Sequence, residues 1–269
     1  MSPPERRAGR RPPTGSPSRR ATVTGELGGD VVPGRRAVRE LLVAGKRHVR
    51  TLFVARDRDQ SEVLEEIVEL AGHAGVSARF VDRARIARES RIESHQGVVA
   101  FAAPVRAVSL GALCGVHDAF LVAVDGVTDP QNLGAILRTA EVAGATGAIV
   151  PRHRNALLTP AAVKTAAGAV EHLPIALVAG MPSALEESGR AGVWSVGLDG
   201  DGPTSIHELP VADAPVVLVL GAEGRGLSRL VRERCDVLAH IPMHGHLASL
   251  NVSAAAAVAC FELARRRHH

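Results

Sequence analysis

The chain has 269 residues, of which 46% are hydrophobic and 22% are charged, so it is long and apolar enough to fold as one large or two modest soluble domains. No apolar run reaches the roughly 18 residues of a membrane span, and the N-terminus carries arginines and prolines where a secretory signal needs an apolar stretch. We therefore expect a cytoplasmic protein with no membrane partner. Cys114, Cys235 and Cys260 are far apart and lack the spacing of metal ligands, so we expect no metal site.

Charge is divided unevenly along the chain. Residues 1–117 hold 20 Lys and Arg against 13 Asp and Glu, a net charge of +7, whereas residues 118–269 hold 12 against 15, a net charge of −3. A basic front half favours a polyanionic partner such as nucleic acid, although charges scattered over solvated faces would give the same totals. Because the chain has no Tyr, one Trp and five Phe, contacts to the backbone and shape of a nucleic acid are better supported than base stacking.

The front half is predicted to contain a tail, a small domain and a linker. Residues 1–30 include six Arg and are rich in Pro, Gly, Ser and Thr, which predicts a disordered basic tail. Residues 31–103 alternate between helical and strand patterns, which predicts a small α/β domain. The predicted segments are a helix at 35–42, a strand at 51–55, a helix from about 61, a strand at 78–81, a helix at 83–89 and a strand at 98–102. Residues 104–117 have no sustained period and are predicted to be a linker or hinge.

Residues 118–267 are predicted to form a second α/β domain. Its predicted strands are short apolar runs at 120–124, 147–150, 175–178, 193–198, 216–220 and 237–241, and its predicted helices are at 133–143, 160–169, 182–190, 227–234 and 252–267. Runs without polar alternation are typical of a parallel sheet that helices cover on both faces. Ligands bind such sheets where strands end and loops lead into helices. Three unusual loops lie at such positions: 125–134, 221–226 and 242–251.

Each loop, taken alone, also has a purely structural explanation. The second loop has three glycines but neither GxGxxG nor the Gly-Lys-Ser/Thr of a Walker loop, so it favours neither a dinucleotide nor a nucleoside triphosphate and is compatible with a tight turn. The third loop holds three residues that commonly cap helices, Ser249, Asn251 and Ser253. In the first loop, an N-cap and a surface arginine six positions later would account for Asn132 and Arg138.

Together, the three loops resemble a known family. The segments are DGVTDPQNLGAILRTAEVAGA at 125–145, LVLGAEGRGL at 218–227 and IPMHGHLASLNVSAAAAV at 241–258. In order and separation they resemble the three motifs of the SpoU/TrmH family of RNA ribose 2′-O-methyltransferases, in the SPOUT superfamily. The resemblance implies an α/β fold whose mostly parallel sheet carries a deep C-terminal trefoil knot. It also implies S-adenosylmethionine as cofactor and a homodimer, formed through the C-terminal domain, whose active site draws residues from both subunits.

The resemblance also assigns residues by position. Those expected to hold the cofactor are Leu220, Gly221, Ile241, Met243, Leu250 and Ser253. Those matching the family's catalytic positions are Asn132, Arg138, Glu223, Ser249 and Asn251. One departure is that the family often has a serine where Ala166 or Ala167 stands.

The front domain, which includes HQGVVA at 95–100, resembles the ribosomal-protein-like substrate-binding domain of the rRNA-modifying members. This resemblance favours a guanosine of 23S rRNA as the target. Alternatives are a thiostrepton-resistance-type rRNA enzyme, a tRNA ribose methyltransferase, a non-catalytic ribosome-assembly factor and, from the residues alone, a dinucleotide-dependent oxidoreductase.

Methylation of a ribose hydroxyl requires an activated oxygen in line with an electrophilic methyl group. Because a guanidinium hardly ever loses its proton, we expect Arg138 to act by lowering the pKa of the hydroxyl and stabilising the developing alkoxide. We hypothesise that Asn132 orients Arg138 and that Glu223 holds the guanidinium or shapes the glycine loop. We also hypothesise that Ser249 and Asn251 position the nucleotide.

Overall fold

The structure is a computed structural model that describes residues 25–57, 61–247 and 249–267. The strands in these residues are β1 Val31–Pro33, β2 Val49–Ala55, β3 Ala78–Val81, β4 Val98–Ala102, β5 Phe120–Asp125, β6 Gly147–Pro151, β7 Ile175–Val178, β8 Trp194–Leu198, β9 Thr204–Ser205, β10 Val216–Gly221 and β11 Val237–His240. The helices are α1 Arg35–Ala44, α2 Glu62–His73, α3 Arg83–Ser90, α4 Leu110–Cys114, α5 Pro130–Val142, α6 Pro160–Ala166, α7 Met181–Arg190, α8 Arg229–Arg234 and α9 Val252–Arg267.

The front domain is built on a small mixed sheet. Its strand order in the described residues is β1-β4-β2-β3, in which β2 and β3 are parallel and the other two pairs are antiparallel. Leu64, Ile67 and Ala71 recur at helical spacing along α2 and are fully buried, so they supply one face of the core. The predicted α/β character of this region is confirmed.

The second domain is built on a parallel sheet. In the described residues its order is β7-β6-β5-β10-β8-β11-β9, and every neighbouring pair is parallel. The central strands β5 and β10 are buried along almost their whole length, as expected for apolar runs that helices cover on both faces. This arrangement confirms the predicted α/β fold with a mostly parallel sheet. The trefoil knot stays a prediction.

The boundary of the predicted tail is displaced. Residues 1–24 lie outside the described residues, but residues 25–30 pack against the fold and are not disordered as we had predicted. Leu27 is 1% exposed, its N–H donates to the Val105 carbonyl at 3.0 Å, and its carbonyl accepts from the Leu158 N–H at 3.1 Å. Leu27 is the single large apolar residue in this segment, and it can be buried because neighbouring backbone groups satisfy its own N–H and carbonyl.

The predicted linker is also packed rather than free. Within residues 104–117, Val108 forms a β-bridge with Ala176, and α4 buries Leu110 and Leu113 against the second domain. The apolar positions of this short helix were too few to produce a recognisable period. None of the described helices is long and apolar enough to cross a bilayer. Within the described residues, no group of His, Cys, Asp and Glu is arranged to hold a metal ion.

Candidate active site at the carboxyl edge of the parallel sheet

The three loops singled out in the sequence meet at one edge of the sheet. Strands β5 and β10 are parallel neighbours and end together, with Asp125 opposite Gly221. The loops that follow are joined directly, because the Ser228 N–H donates to the Asp125 carboxylate at 2.8 Å. Parallel strands bring their carboxyl ends to the same edge, which is why residues about 100 positions apart lie side by side.

The glycine loop after β10 folds back on itself. The Ala222 N–H donates to the Gly226 carbonyl at 3.0 Å, and the Gly226 N–H returns a bond to Ala222 at 2.8 Å. A Cβ at Gly221 would overlap the backbone of Gly226, so only glycine allows this approach. Gly224 and Gly226 adopt φ values of 73° and 64°, which side chains other than glycine rarely tolerate. The loop therefore presents Glu223 at its tip.

A polar cluster joins all three loops through the amide of Asn251. Its Nδ2 donates to Asn132 Oδ1 at 3.0 Å and to Glu223 Oε1. Its Oδ1 accepts from the Ser253 N–H at 2.9 Å and the Ala254 N–H at 3.3 Å, which caps α9. A primary amide has two N–H donors, and Asn251 gives both to protein groups. The Asn251 amide therefore holds the loops together, and the hypothesis that Asn251 positions the nucleotide stays a prediction.

Arg138 lies away from this cluster within one chain. Asn132 and Arg138 both belong to α5, and six residues of helix separate their directions by about 120°. Asn132 is 7% exposed, whereas Arg138 is exposed and forms no hydrogen bond or ion pair with the rest of the described chain. Within one chain α5 therefore turns the two side chains to different faces, and the hypothesis that Asn132 orients Arg138 stays a prediction.

A cavity of about 620 Å³ opens between the glycine loop and the segment that follows β11. Of the predicted site residues, those that line it are Leu220, Gly221, Glu223, Ile241, Met243, Ser249 and Leu250. Ser253, Asn132, Asn251 and Arg138 are not in its lining. Ser253 instead donates its hydroxyl to Asn251 Oδ1 at 2.6 Å, so it supports the cap of α9.

Sequence reasoning missed two acidic residues on the cavity wall. Asp199 and Asp201 follow β8, which lies next to β10, and both line the cavity. Asp199 pairs with Arg232 at 3.2 Å and accepts from the Asp201 N–H at 3.0 Å. The signal that was available is the run Asp-Gly-Asp-Gly at 199–202, directly after a predicted buried strand.

Comparison with known proteins identifies the family. The model of the SpoU rRNA Methylase family matches residues 119–261, which include all three loops. The chain belongs to this family. A second family model, described as RNA 2′-O ribose methyltransferase substrate binding, matches residues 31–108. Both predicted resemblances are thereby confirmed, while the domain bounds at 103 and 117 stay predictions.

The similarity of this SpoU family member to known relatives covers most of its length. It is 38% identical over 240 residues to the 23S rRNA (guanosine-2′-O-)-methyltransferase RlmB of Pseudomonas syringae, covering 87% of the chain and 94% of the relative. The crystal structure of the SpoU methyltransferase AviRb of Streptomyces viridochromogenes in complex with the cofactor AdoMet is 27% identical, with a TM-score of 0.74, over 88% of this chain and 90% of that one. An AdoMet-bound rRNA methyltransferase of Sinorhizobium meliloti is also 27% identical, with a TM-score of 0.71, over 88% and 87% of the two chains.

Proposed function

We propose that the protein transfers a methyl group from S-adenosylmethionine to the 2′-hydroxyl of a guanosine ribose in 23S rRNA. The observation that carries this proposal is the hydrogen-bonded cluster of Asn132, Glu223 and Asn251. This cluster lies beside a cavity at the carboxyl edge of the sheet, and the glycine loop forms part of the cavity wall. Membership of the SpoU family and the substrate named for the Pseudomonas relative support it. We further propose that the enzyme works in the cytoplasm, where its RNA would be found.

The cavity fits S-adenosylmethionine in size and chemistry. Its volume lies within the range of about 300–1,000 Å³ that is usual for small-molecule sites. Leu220, Ile241 and Leu250 give it apolar walls suited to a nucleobase, and the glycine loop brings backbone N–H and carbonyl groups to its edge. The carboxylate of Asp201 gives the wall an acidic group suited to a cationic ligand. When bound, the cofactor supplies a methyl group on a sulfonium, which makes that methyl electrophilic.

The protein must then activate the ribose oxygen. We assign this role to Arg138, because its guanidinium is not engaged by other described groups of its own chain and because a guanidinium is a cation. A cation beside the hydroxyl lowers the pKa of that hydroxyl and stabilises the alkoxide as it forms. The guanidinium fork also fits the RNA phosphate next to the target ribose. In this proposal the proton of the 2′-hydroxyl passes to that phosphate or to water, and Arg138 does not accept it. Glu223 and Ser249, which line the cavity, are assigned to the same reaction centre.

A second copy of the chain is needed to complete this site. Arg138 and Val142 are four residues apart on one face of α5, and Val142 is 64% exposed. On α9, which packs against α5, Phe261 is 50% exposed. Large exposed apolar side chains next to a cation are expected at an interface, where a partner would cover them. We propose a homodimer in which this face is buried and Arg138 reaches the reaction centre formed with the partner.

The test is transfer of labelled methyl from S-adenosylmethionine to 23S rRNA, followed by mapping of the modified ribose. Methylation of a guanosine 2′-oxygen by the parent protein, and its loss in Arg138→Ala, is the expected result. Methyl incorporation into tRNA alone would overturn the substrate and keep the reaction. Failure to bind S-adenosylmethionine and failure to methylate any RNA would overturn the reaction itself and favour a non-catalytic assembly factor.

A further inference from the structure

The turn after α6 is wedged between the two domains. Helix α6 ends at Ala166, and Ala167 and Gly168 reverse the chain with φ values of 52° and 101°. The short 3₁₀ turn that follows, Ala169–Glu171, packs against α5 on one side and α1 of the front domain on the other. A Cβ at Gly168 would overlap the side chain of Glu40 in α1. Glycine is therefore required here both by its φ and by the closeness of the domains.

A buried ion pair closes this contact. Arg47 lies in the front domain and Glu171 in the second, and their side chains are only 8% and 1% exposed. Arg47 Nε donates to Glu171 Oε2 at 2.9 Å, and its Nη2 donates to the other carboxylate oxygen, which forms a bidentate pair. Arg47 Nη1 donates to the carbonyls of Gly29 at 2.8 Å and Ala103 at 2.9 Å. One guanidinium thus joins the residues before β1, the segment after β4 and the second domain.

Other polar contacts surround the pair. Lys46 Nζ donates to the Glu171 carbonyl at 3.0 Å, and His172 Nε2 lies 3.0 Å from Glu40 Oε2. Backbone contacts add to them, since the Gly29 N–H donates to the Leu158 carbonyl at 2.7 Å. The buried apolar side chains of both domains form one continuous cluster beneath. Because of these contacts, we do not expect the two domains to hinge freely at this boundary.

We propose that the Arg47–Glu171 pair is a specificity-determining joint that fixes the RNA-binding domain at a set distance and angle from the methyl-transfer site. This inference rests on the proposed function. The turn that carries Glu171 packs directly on α5, which bears Asn132 and Arg138. The ion pair therefore fixes the position of the front domain relative to these two residues. When two binding surfaces are rigidly joined, an RNA held by one surface meets the other at a high effective concentration. This advantage is lost for an RNA whose shape does not allow it to contact both surfaces at once. Arg47 and Glu171 are accordingly positioning residues and do not touch the ribose.

Breaking one partner of the pair should loosen the joint. Glu171→Gln keeps the size of the side chain and leaves the Arg47 charge buried without its counter-charge, which is strongly unfavourable. Its matched control is Glu233→Gln, which breaks an exposed ion pair with Arg229 inside one domain and should change little. Arg47→Lys is the second variant, because an ammonium keeps the charge but cannot reach all three groups of acceptors.

Kinetics on two RNAs separate positioning from simple loss of stability. For Glu171→Gln, we expect KM for a long structured rRNA fragment to rise about tenfold while kcat stays within about twofold. A short RNA that holds little beyond the target nucleotide should show an unchanged KM, and methylation at neighbouring riboses of the long RNA should increase. Arg47→Lys should shift KM in the same direction. Equal KM values for Glu171→Gln and Glu233→Gln on the long RNA would overturn the proposal.

Amide hydrogen exchange measures how firmly the two domains are held together, and it does not depend on enzymatic activity. We expect the amides of Leu27, Gly29 and Leu158 to exchange slowly in the parent protein and about tenfold faster in Glu171→Gln, while those of β10 do not change. Unprotected amides at Leu27 and Gly29 in the parent protein, or equal protection in the variant, would overturn the joint. If no RNA is methylated but exchange behaves as expected, the proposed function fails and the joint stands.

Discussion

Removal of the Asn251 amide gives the sharpest test of how the site is held together. In Asn251→Ala, three interactions are lost at once: the cap of α9, the bond to buried Asn132 and the bond to the Glu223 carboxylate. Asn251→Asp keeps an oxygen that can cap α9 and removes only the two N–H donors. The two variants therefore separate the capping of the helix from the bridge between loops.

The magnitudes follow from the contacts. An N-cap contributes about 1 kcal/mol, and a hydrogen bond between neutral amides contributes about 1 kcal/mol. The bond to Glu223 is charge-assisted but exposed to solvent, so we assign it about 1 kcal/mol as well. Asn251→Ala should then lower the free energy of unfolding by about 3 kcal/mol, and Tm by roughly 6–12 °C for a chain of this size. Asn251→Asp should cost about 2 kcal/mol or more, because its carboxylate would also face that of Glu223.

Thermal unfolding and S-adenosylmethionine titration measure both effects. Because the glycine loop is no longer tied to α9, we expect the cofactor Kd to rise about tenfold in both variants. Ser249→Ala is the control, since Ser249 lines the same cavity but makes no hydrogen bond with the rest of the described chain. Its Tm should stay within about 2 °C of the parent. If Asn251→Ala also stays within about 2 °C with unchanged cofactor affinity, the bridging role is refuted.

Four further outcomes are expected. Arg138→Ala and Arg138→Lys should each lower kcat by about 100-fold or more without changing the cofactor Kd, and turnover within about tenfold of the parent would contradict the role of Arg138. Gly221→Ala should abolish cofactor binding in a calorimetric titration, because its Cβ would overlap Gly226; full binding would contradict the geometry. Burial and nearby cations lower the pKa of His95 below its ordinary value of 6.5, so the unfolded chain takes up this proton first and stability should fall as pH drops below about 6.5. His95→Gln should flatten this fall in a pH series of denaturant midpoints, and an equal fall in the variant would exclude His95 as its source. Deletion of residues 1–24 should weaken RNA binding and reduce its salt dependence without loss of activity on saturating RNA; an unchanged salt slope would show that the tail does not contact phosphate.

The sheet and its functional edge were predictable because their signals are local. Each central strand is an uninterrupted apolar run, and each important loop follows such a run directly. The capping role of Asn251 was predictable for the same reason, since Asn before an alanine-rich helix is a common N-cap. What no local pattern shows is that the other half of the same amide binds Asn132 and Glu223, from two other loops.

Contacts that depend on distant backbone were not predictable. Residues 25–30 have the composition of a disordered tail, yet distant groups satisfy much of their backbone, among them the carbonyl and amide groups of Val105 and Leu158. In the predicted linker, α4 has five residues, too few for a helical period to emerge. Arg47 and Glu171 are 124 positions apart in the sequence. From the sequence around each of them, either residue would be predicted to be an ordinary surface charge.

Arg138 shows how a family resemblance can suggest a role for a residue that the geometry of a single chain does not reveal. Family resemblance points to it, yet within one chain it lies on the outer face of α5, beside exposed Val142 and away from Asn132. A helix that turned both polar groups inward would have to bury the guanidinium, at a large desolvation cost. Facing outward, the same residue remains solvated in the single chain. If the proposed homodimer brings Arg138 to the reaction centre of its partner, activity should depend on protein concentration wherever the dimer dissociates.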